Sequence, residues 1–272
     1  MQPINKKYLI IGAHPDDADL IFGGCAVKLA RLGHAVKFVA CVNGDAGHYA
    51  MTRPALATRR KNEAQAAAKI AGVVEYHVLD HHDCEFMPTL ENRHEIIRLI
   101  REFAPHVIVT HRLCDYHADH RATAQLVQDA AYLLNVPMIV PETPIMPHYP
   151  VILLAWDKFQ KPCPFVPDLA VAIDDVLDIK LAMLDCHVSQ FYEWLPYNQG
   201  RLDQVPTDPA GRRRWLLDGW VYRNQTQAEL ARALLAQSRG AATPSALYAE
   251  TFEISEYGRI PMPRELAELF PF

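Results

Sequence analysis

The stretch Tyr8-Leu9-Ile10-Ile11-Gly12-Ala13-His14-Pro15-Asp16-Asp17 decides the fold. Four apolar residues in a row form a strand, Gly12 lets the chain turn, and a proline followed by two acids is unsuited to a strand interior. His14-Pro15-Asp16-Asp17 therefore reads as a rigid turn that aims polar side chains outward from a sheet edge. That is where α/β proteins place their chemistry.

Working outward from this turn, short β-rich runs alternate with longer segments of helical period, the pattern of βαβ units on a parallel sheet. Strands are expected at Tyr8–Ala13, Val36–Val42, Glu75–Leu79, Val107–Thr110, Val151–Ala155 and Leu169–Ile173. Helices are expected at Gly24–Leu32, Ala55–Ala71, Glu91–Phe103, Ala118–Leu134, Asp174–His187 and Thr226–Ala236, with Gly33 and Gly72 as stops. The fold class is α/β: a Rossmann-like parallel sheet flanked by helices, with a less regular C-terminal lobe. Residues 1–190 are expected to form the catalytic domain, and residues 191–272 a lobe packed on it that completes the substrate pocket. The last strand of the sheet is then the one at Leu169, and a proline-punctuated tail follows.

Composition narrows the function. The 272 residues are half hydrophobic, enough for a sizeable core, and a net charge of -5 provides no basic field for nucleic acid. No apolar run approaches the roughly 20 residues of a membrane span, and no signal-peptide core precedes the first strand. The cysteines show no paired spacing and read as reduced. A cytoplasmic enzyme or binding protein for small molecules is expected.

With the strand order 3-2-1-4-5, the first and fourth strands are neighbours and their connections diverge, which is where such sheets bind ligands. His14-Pro15-Asp16-Asp17 ends the first strand; His111 and Cys114-Asp115-Tyr116-His117-Ala118-Asp119-His120 follow the fourth. A His-Pro-Asp turn alone is commonly a capped surface loop, and His-x-x-His at a helix start is commonly solvated. Both motifs meeting at one crevice point to a metal. From His14, Asp16, Asp17, His117, Asp119 and His120, two histidines and one carboxylate suffice to bind with an open position left over, as a catalytic zinc requires. Ferrous iron is compatible with the same donors. One of the adjacent acids can ligate while the other faces the water.

These motifs resemble the PIG-L/LmbE-like family of zinc-dependent N-deacetylases. Ala13-His14-Pro15-Asp16-Asp17 with Gly23-Gly24 matches the family's opening signature, and His117-Ala118-Asp119-His120 its second. Arg60-x-x-Glu63, Asp83 and Tyr248-Ala249-Glu250-x-Phe252 add weaker agreement. The resemblance implies that His14, Asp17 and His120 hold zinc and Asp16 is the general base. It further implies that His117 is a second catalytic residue oriented by Asp119, and that Arg60 and Asp83 contact substrate. Asn43-Gly44-Asp45-Ala46-Gly47 departs from the family's Thr-x-Gly-Glu-x-Gly.

The expected reaction is hydrolysis of an N-acetyl group from an amino sugar or small conjugate, with His117 acting as an imidazolium whose pKa Asp119 raises. Alternatives are an amidase for a larger thiol-sugar or secondary-metabolite amide, and a metal-retaining sugar-binding protein without turnover. His111, ending strand four, is left out of the ligand set. Among other candidates, Tyr116 is an extra donor, His81, His82 and Cys84 are loop residues, and Arg212-Arg213-Arg214 is a solvated run. The aromatic residues Trp194, Trp215, Trp220, Tyr192, Tyr197 and Tyr222 are expected mainly to pack a core. Self-association follows by family analogy.

Overall fold

The computed structural model describes residues 5–237 and 245–272. Strand β1 (Lys7–Gly12) pairs in parallel with β2 (Ala35–Val42) on one side and β4 (Val107–Thr110) on the other. Outside these lie β3 (Glu75–His81) and β5 (Val151–Ala155), also parallel, which gives the expected order 3-2-1-4-5. Alternate residues of β1 serve opposite faces. Tyr8 and Ile10 join Phe22, Phe38 and Val109 in one apolar layer, while Leu9 and Ile11 join Ile96, Ile100 and Leu126 in the other.

Helices α1 (Asp17–Arg31) and α2 (Arg53–Ala71) cover the first face; α3 (Leu90–Phe103) and α4 (Ala118–Leu133) cover the second. One boundary differs in a way that matters. Helix α1 begins at Asp17, well before the expected Gly24, because Asp17 and Asp19 lie in its first turn, where carboxylates suit the positive end of the helix dipole. The acids that read as a turn open a helix.

The remaining elements are α5 (Leu177–Asp185), α6 (Leu195–Asn198), α7 (Pro209–Leu216), α8 (Tyr222–Leu230), α9 (Arg232–Gln237) and α10 (Pro263–Leu269). The helix expected over Thr226–Ala236 is thus two helices broken at Ala231. Strand β6 (Leu169–Ala172) does not follow β5 in the sheet. Between them lies β7 (Ala249–Ile254), antiparallel to both, so the seven-stranded order is β3-β2-β1-β4-β5-β7-β6. The expectation that the sheet ends with the Leu169 strand is corrected here. An acid at the second position of β7 gave no sign of burial.

That acid, Glu250, is fully buried, and so is Lys180 of α5, whose Nζ donates to Glu250 Oε1 at 2.6 Å. Together they clasp one turn of α1: Lys180 Nζ donates to the Leu20 carbonyl at 2.8 Å, while Glu250 accepts from the Gly24 and Cys25 N–H groups at 2.8 Å each. A Cβ on Gly24 would lie 2.8 Å from Ile173 Cβ, so the glycine permits this approach. Two weak motifs, Gly23-Gly24 and Tyr248-Ala249-Glu250, are in this way explained as one structural clasp. Among the described residues, no helix is long and apolar enough to cross a membrane, and all six cysteines are free.

A buried pair broken on one side strands a charge. Lys180→Met should therefore lower the unfolding free energy by about 3–5 kcal/mol in urea denaturation. Adding Glu250→Gln should recover part of that loss.

Candidate metal centre and active site

The carboxyl ends of β1, β2, β3 and β4 and the segments that follow them supply the residues of the site, with Arg60 added from α2, which is why motifs far apart in sequence meet. After β1, the Asp16 and Asp17 N–H groups both reach the His14 carbonyl, at 2.9 and 3.2 Å, which folds His14-Pro15-Asp16-Asp17 into a tight turn. Asp17 then reaches back to accept the His14 N–H at 2.7 Å. After β4, His117 caps α4, with its Nδ1 accepting the Asp119 N–H at 3.2 Å, so His120 lies in the helix's first turn.

His14 Nδ1, Asp17 Oδ2 and His120 Nε2 form a nearly equilateral triangle, with edges of 3.3, 3.4 and 3.1 Å. A tetrahedral cation with bonds of about 2.0–2.1 Å places its ligands roughly 3.3–3.4 Å apart, so this triangle fits one face of such a coordination shell. The other nitrogen of each ring is held by a carboxylate: His14 Nε2 by Asp83 Oδ1 at 3.1 Å, and His120 Nδ1 by Asp115 Oδ1 at 3.0 Å. Carboxylate-anchored imidazoles are the usual second layer around a bound metal. Mutual proximity also defines three overlapping donor groups, His14-His117-His120, His14-Asp83-His117-Asp119 and Asp17-His111-His120. The His14-Asp17-His120 triangle turns one nitrogen of each histidine toward its centre and has the other anchored on a carboxylate.

His111 illustrates the difference. Its ring stacks on His120 at 4.0 Å between centroids, and its Nε2 lies 3.3 Å from Asp17 Oδ2. That nitrogen already accepts the Ala13 N–H at 3.1 Å, so its lone pair is spent. Burial, and then the neighbouring His120, push the His111 imidazole below its ordinary pKa, as befits a neutral packing residue.

The crevice calls for positive charge. Burial would by itself depress His14, but hydrogen bonds with Asp119, Asp17 and Asp83 outweigh it and hold the imidazole well above its usual value. His120 behaves alike: burial lowers it, while Asp17 and Asp115 lift it to about 9. Asp17 resists its own burial, and His120 and His111 carry it well below the carboxylate range. Deprotonated imidazoles are required of ligands, so a cation entering here takes over a charge that the cluster already favours.

Asp16 stays outside the triangle. Its Oδ1 accepts from Arg60 Nη2 at 2.7 Å, and Arg60 is 2% exposed, committed also to the Gly44 carbonyl at 3.3 Å. Arg60 and Asp83, expected from the resemblance to meet substrate, are both buried; the structure aims Arg60 at Asp16, and Asp83 at His14. Asp45 is engaged as well. Its carboxylate accepts from Arg53, from His82 Nδ1 at 2.6 Å and from the Asp83 N–H at 3.1 Å, so it anchors the Asp83 loop.

His117 departs from its expected state. Burial, then the like charges of His14 and His120, push its pKa down, and Asp119 does not reverse this. Asp119 meets the His117 ring through its backbone N–H; its Oδ2 instead accepts the Cys84 N–H at 2.8 Å. An accepting Nδ1 leaves the proton on Nε2, so His117 offers a neutral N–H at the half-open mouth. Tyr116, largely exposed, packs its ring 5.6 Å from His117 and 5.4 Å from His120.

Asp115 is the residue the sequence did not single out, although it lies inside the quoted segment. It also fixes the His117 backbone by accepting its N–H at 2.9 Å. The three neighbouring arginines Arg212, Arg213 and Arg214 pair with Asp185, Asp178 and Asp218. Trp220 and Tyr192 are buried in a lobe core with Leu184 and Phe191, as expected of packing residues.

The family model described as PIG-L, GlcNAc-PI de-N-acetylase, matches residues 9–131, a span containing every residue of the centre. A diacetylchitobiose deacetylase from Thermococcus kodakarensis is 31% identical over 72% of this chain and 77% of its own length. A 4-oxalmesaconate hydratase from Pseudomonas putida is 28% identical over 75% of this chain and 81% of its own. The solved N,N'-diacetylchitobiose deacetylase of Pyrococcus horikoshii, at 22% identity, superposes with a TM-score of 0.71 over 93% of this chain and 84% of that one.

Loss of an anchoring carboxylate should weaken the centre without abolishing it. In competition with a chromogenic chelator, Asp115→Asn and Asp83→Asn should lower Zn2+ affinity by about 10- to 100-fold. His14→Ala should remove binding, and His111→Ala should leave the stoichiometry unchanged.

Proposed function

The chain belongs to the PIG-L family, and from that premise we propose that it is a zinc-dependent hydrolase removing the N-acetyl group of an amino sugar or small amino-sugar conjugate. One observation carries this reading: two adjacent acids face different tasks, Asp17 closing the donor triangle while Asp16 is held beside it by Arg60.

His14, Asp17 and His120 would hold the zinc, which when bound lowers a water's pKa from about 15.7 towards about 7 and polarises the acyl oxygen. Asp16 takes the proton of the attacking water and returns it to the departing amine. His117 donates its Nε2–H to the oxygen of the tetrahedral intermediate, as a neutral donor and not as an imidazolium. The capping bond from the Asp119 N–H holds its ring. Asp119 contributes by holding the Cys84 loop, and its Oδ2 lies 3.6 Å from His14 Nε2.

The hydratase relative raises a second reading, addition of water to an unsaturated acid. Charge argues against it. Asp16, Asp17, Asp83, Asp115 and Asp119 gather in the crevice, whereas Arg60 is spent on Asp16, Arg53 on Asp45 and Glu85, and Arg121 on the Asp115 carbonyl. A neutral amide suits these walls better than a carboxylate substrate.

Acetate release from N-acetylglucosamine, N,N'-diacetylchitobiose and their conjugates tests the proposal. Turnover should vanish with a chelator and return with Zn2+. Asp16→Asn should lower kcat by about 100-fold or more while keeping one zinc per chain. Wild-type rates in that variant would show that the base lies elsewhere.

A further inference from the structure

We propose that Tyr49, Tyr197 and Trp194 form a second subsite at the rim of the crevice, seating a neutral pyranose ring linked to the N-acetylated sugar; this rests on the deacetylase reading of the centre. Tyr192, Trp215 and Trp220 pack the C-terminal lobe, the common use of such residues. Trp194 and Tyr197, grouped with them in sequence, do not. Among the described residues neither joins a buried apolar cluster, and both turn to the loop after β2. His48 and Tyr49 stack at 4.7 Å between centroids, Tyr49 and Tyr197 at 4.3 Å, and Tyr197 and Trp194 at 6.1 Å. Tyr49 and Tyr197 remain 43% and 49% exposed. Grouped aromatic surface that packs no core and stays in water marks a place where a ligand is met.

One loop ties this surface to the reacting centre. It leaves the carboxyl end of β2, on the sheet edge that also carries His14 and His117. At its near end Gly44 closes over Arg60 at φ +71, where a Cβ would lie 2.7 Å from Arg60 Cδ and Cζ, and Arg60 in turn holds Asp16. At its far end a Cβ on Gly47 would lie 3.0 Å from Trp194 Nε1. The three residues from Gly44 to Gly47 span at most about 11 Å, short enough for a ligand of two linked rings to meet both ends.

The chemistry of the surface selects its occupant. Glu193, next to Trp194 in the chain, is already answered by Arg59 Nη1 and Nη2 at 2.7 Å each and by His48 Nε2 at 2.8 Å, which leaves no charge for an ionic ligand. Aromatic rings take the C–H face of a pyranose. The two phenol hydroxyls, and the Trp194 Nε1–H, which has no acceptor among the described residues, can bond its hydroxyls. The bonds to Glu193, with those from Ser189 to Glu63, hold the rings in place before a ligand arrives, so little ordering is left to oppose binding.

The test measures acetate release by zinc-loaded full chains from N-acetylglucosamine, its p-nitrophenyl glycoside and N,N'-diacetylchitobiose, for the wild type, Tyr197→Ala, Tyr197→Phe and Tyr49→Ala. The wild type should favour the disaccharide over the monosaccharide in kcat/KM by about 10-fold or more. Tyr197→Ala and Tyr49→Ala should each lower that ratio by about 10-fold, chiefly by raising KM for the disaccharide, while Tyr197→Phe keeps most of it. Should one alanine variant not fold, the other carries the comparison. An unchanged ratio, an equal loss on both sugars, or a loss confined to the p-nitrophenyl glycoside would overturn the inference. A change of oligomeric state in the alanine variants by light scattering would overturn it too, by assigning the rings to a contact between copies. Acetate release from none of the three by the wild type would instead remove the deacetylase reading, and the subsite with it.

Discussion

A buried carboxylate must be answered by positive charge, and the crevice of this protein is arranged around that requirement. Asp17 packs against the end of β1 so closely that a Cβ on Gly12 would lie 2.7 Å from its own Cβ. It cannot swing out to solvent. Asp83, Asp115 and Asp119 converge on the same histidines from β3 and the β4–α4 connection, and each histidine is lifted in pKa or supplied with an anchor as a result. A divalent cation at the triangle of His14, Asp17 and His120 would answer Asp17 directly and the anchoring carboxylates through the histidines they hold. The crossover between β1 and β4 is the one place in the sheet where both strand ends can contribute.

How far the sequence revealed this depends on the range over which each feature acts. Strands β1 to β5 and helices α2 to α4 were legible because their periodicity is local, and Gly72 marks the end of α2. The donor motifs were legible because both sit directly after strands. Strand β7 was not, since Ala249–Ile254 finds its place only through β5 and β6, and its buried Glu250 carries a polar signature. Asp115 was hidden for a related reason, and Arg60 stood out only through the family resemblance. Nothing local separates an anchoring aspartate from a loop aspartate, or marks the middle of Arg59-Arg60-Lys61 as the one that turns inward. The state of His117 turned on which end of Asp119 meets it, a backbone N–H and not the carboxylate.

Polar bonds join the segment after α5 to the elements around the centre. Glu63 accepts from the Ser189 N–H and hydroxyl, and Glu193 takes Arg59 together with His48, whose Nδ1 in turn accepts the Ala50 and Met51 N–H groups. The turn at Ser189–Trp194 is thereby tied to α2 and to the loop after β2. Gly47 belongs to the same junction, because a Cβ there would lie 3.0 Å from the Trp194 ring nitrogen. Beyond it, Tyr49 and Tyr197 stack at 4.3 Å. The loop that closes over Arg60 at Gly44 is thus braced at its far end by the C-terminal segment.

Hydrolysis of an amide and hydration of a double bond both begin by adding water, and the early demands on a protein are the same. A polarising centre, a carboxylate to take the proton and a donor for the developing negative oxygen serve an amide carbonyl and an activated double bond alike. What separates them is the charge and shape of the molecule presented. An amide brings no net charge to a crevice already dense with carboxylates, and after attack it needs a proton for a departing amine. On the proposed reading Asp16, steadied by Arg60, would take one from the water and return it. On that account the core of β1 to β4 fixes the chemistry, while the acidic character of the walls and the committed state of the neighbouring arginines decide which electrophile the water meets.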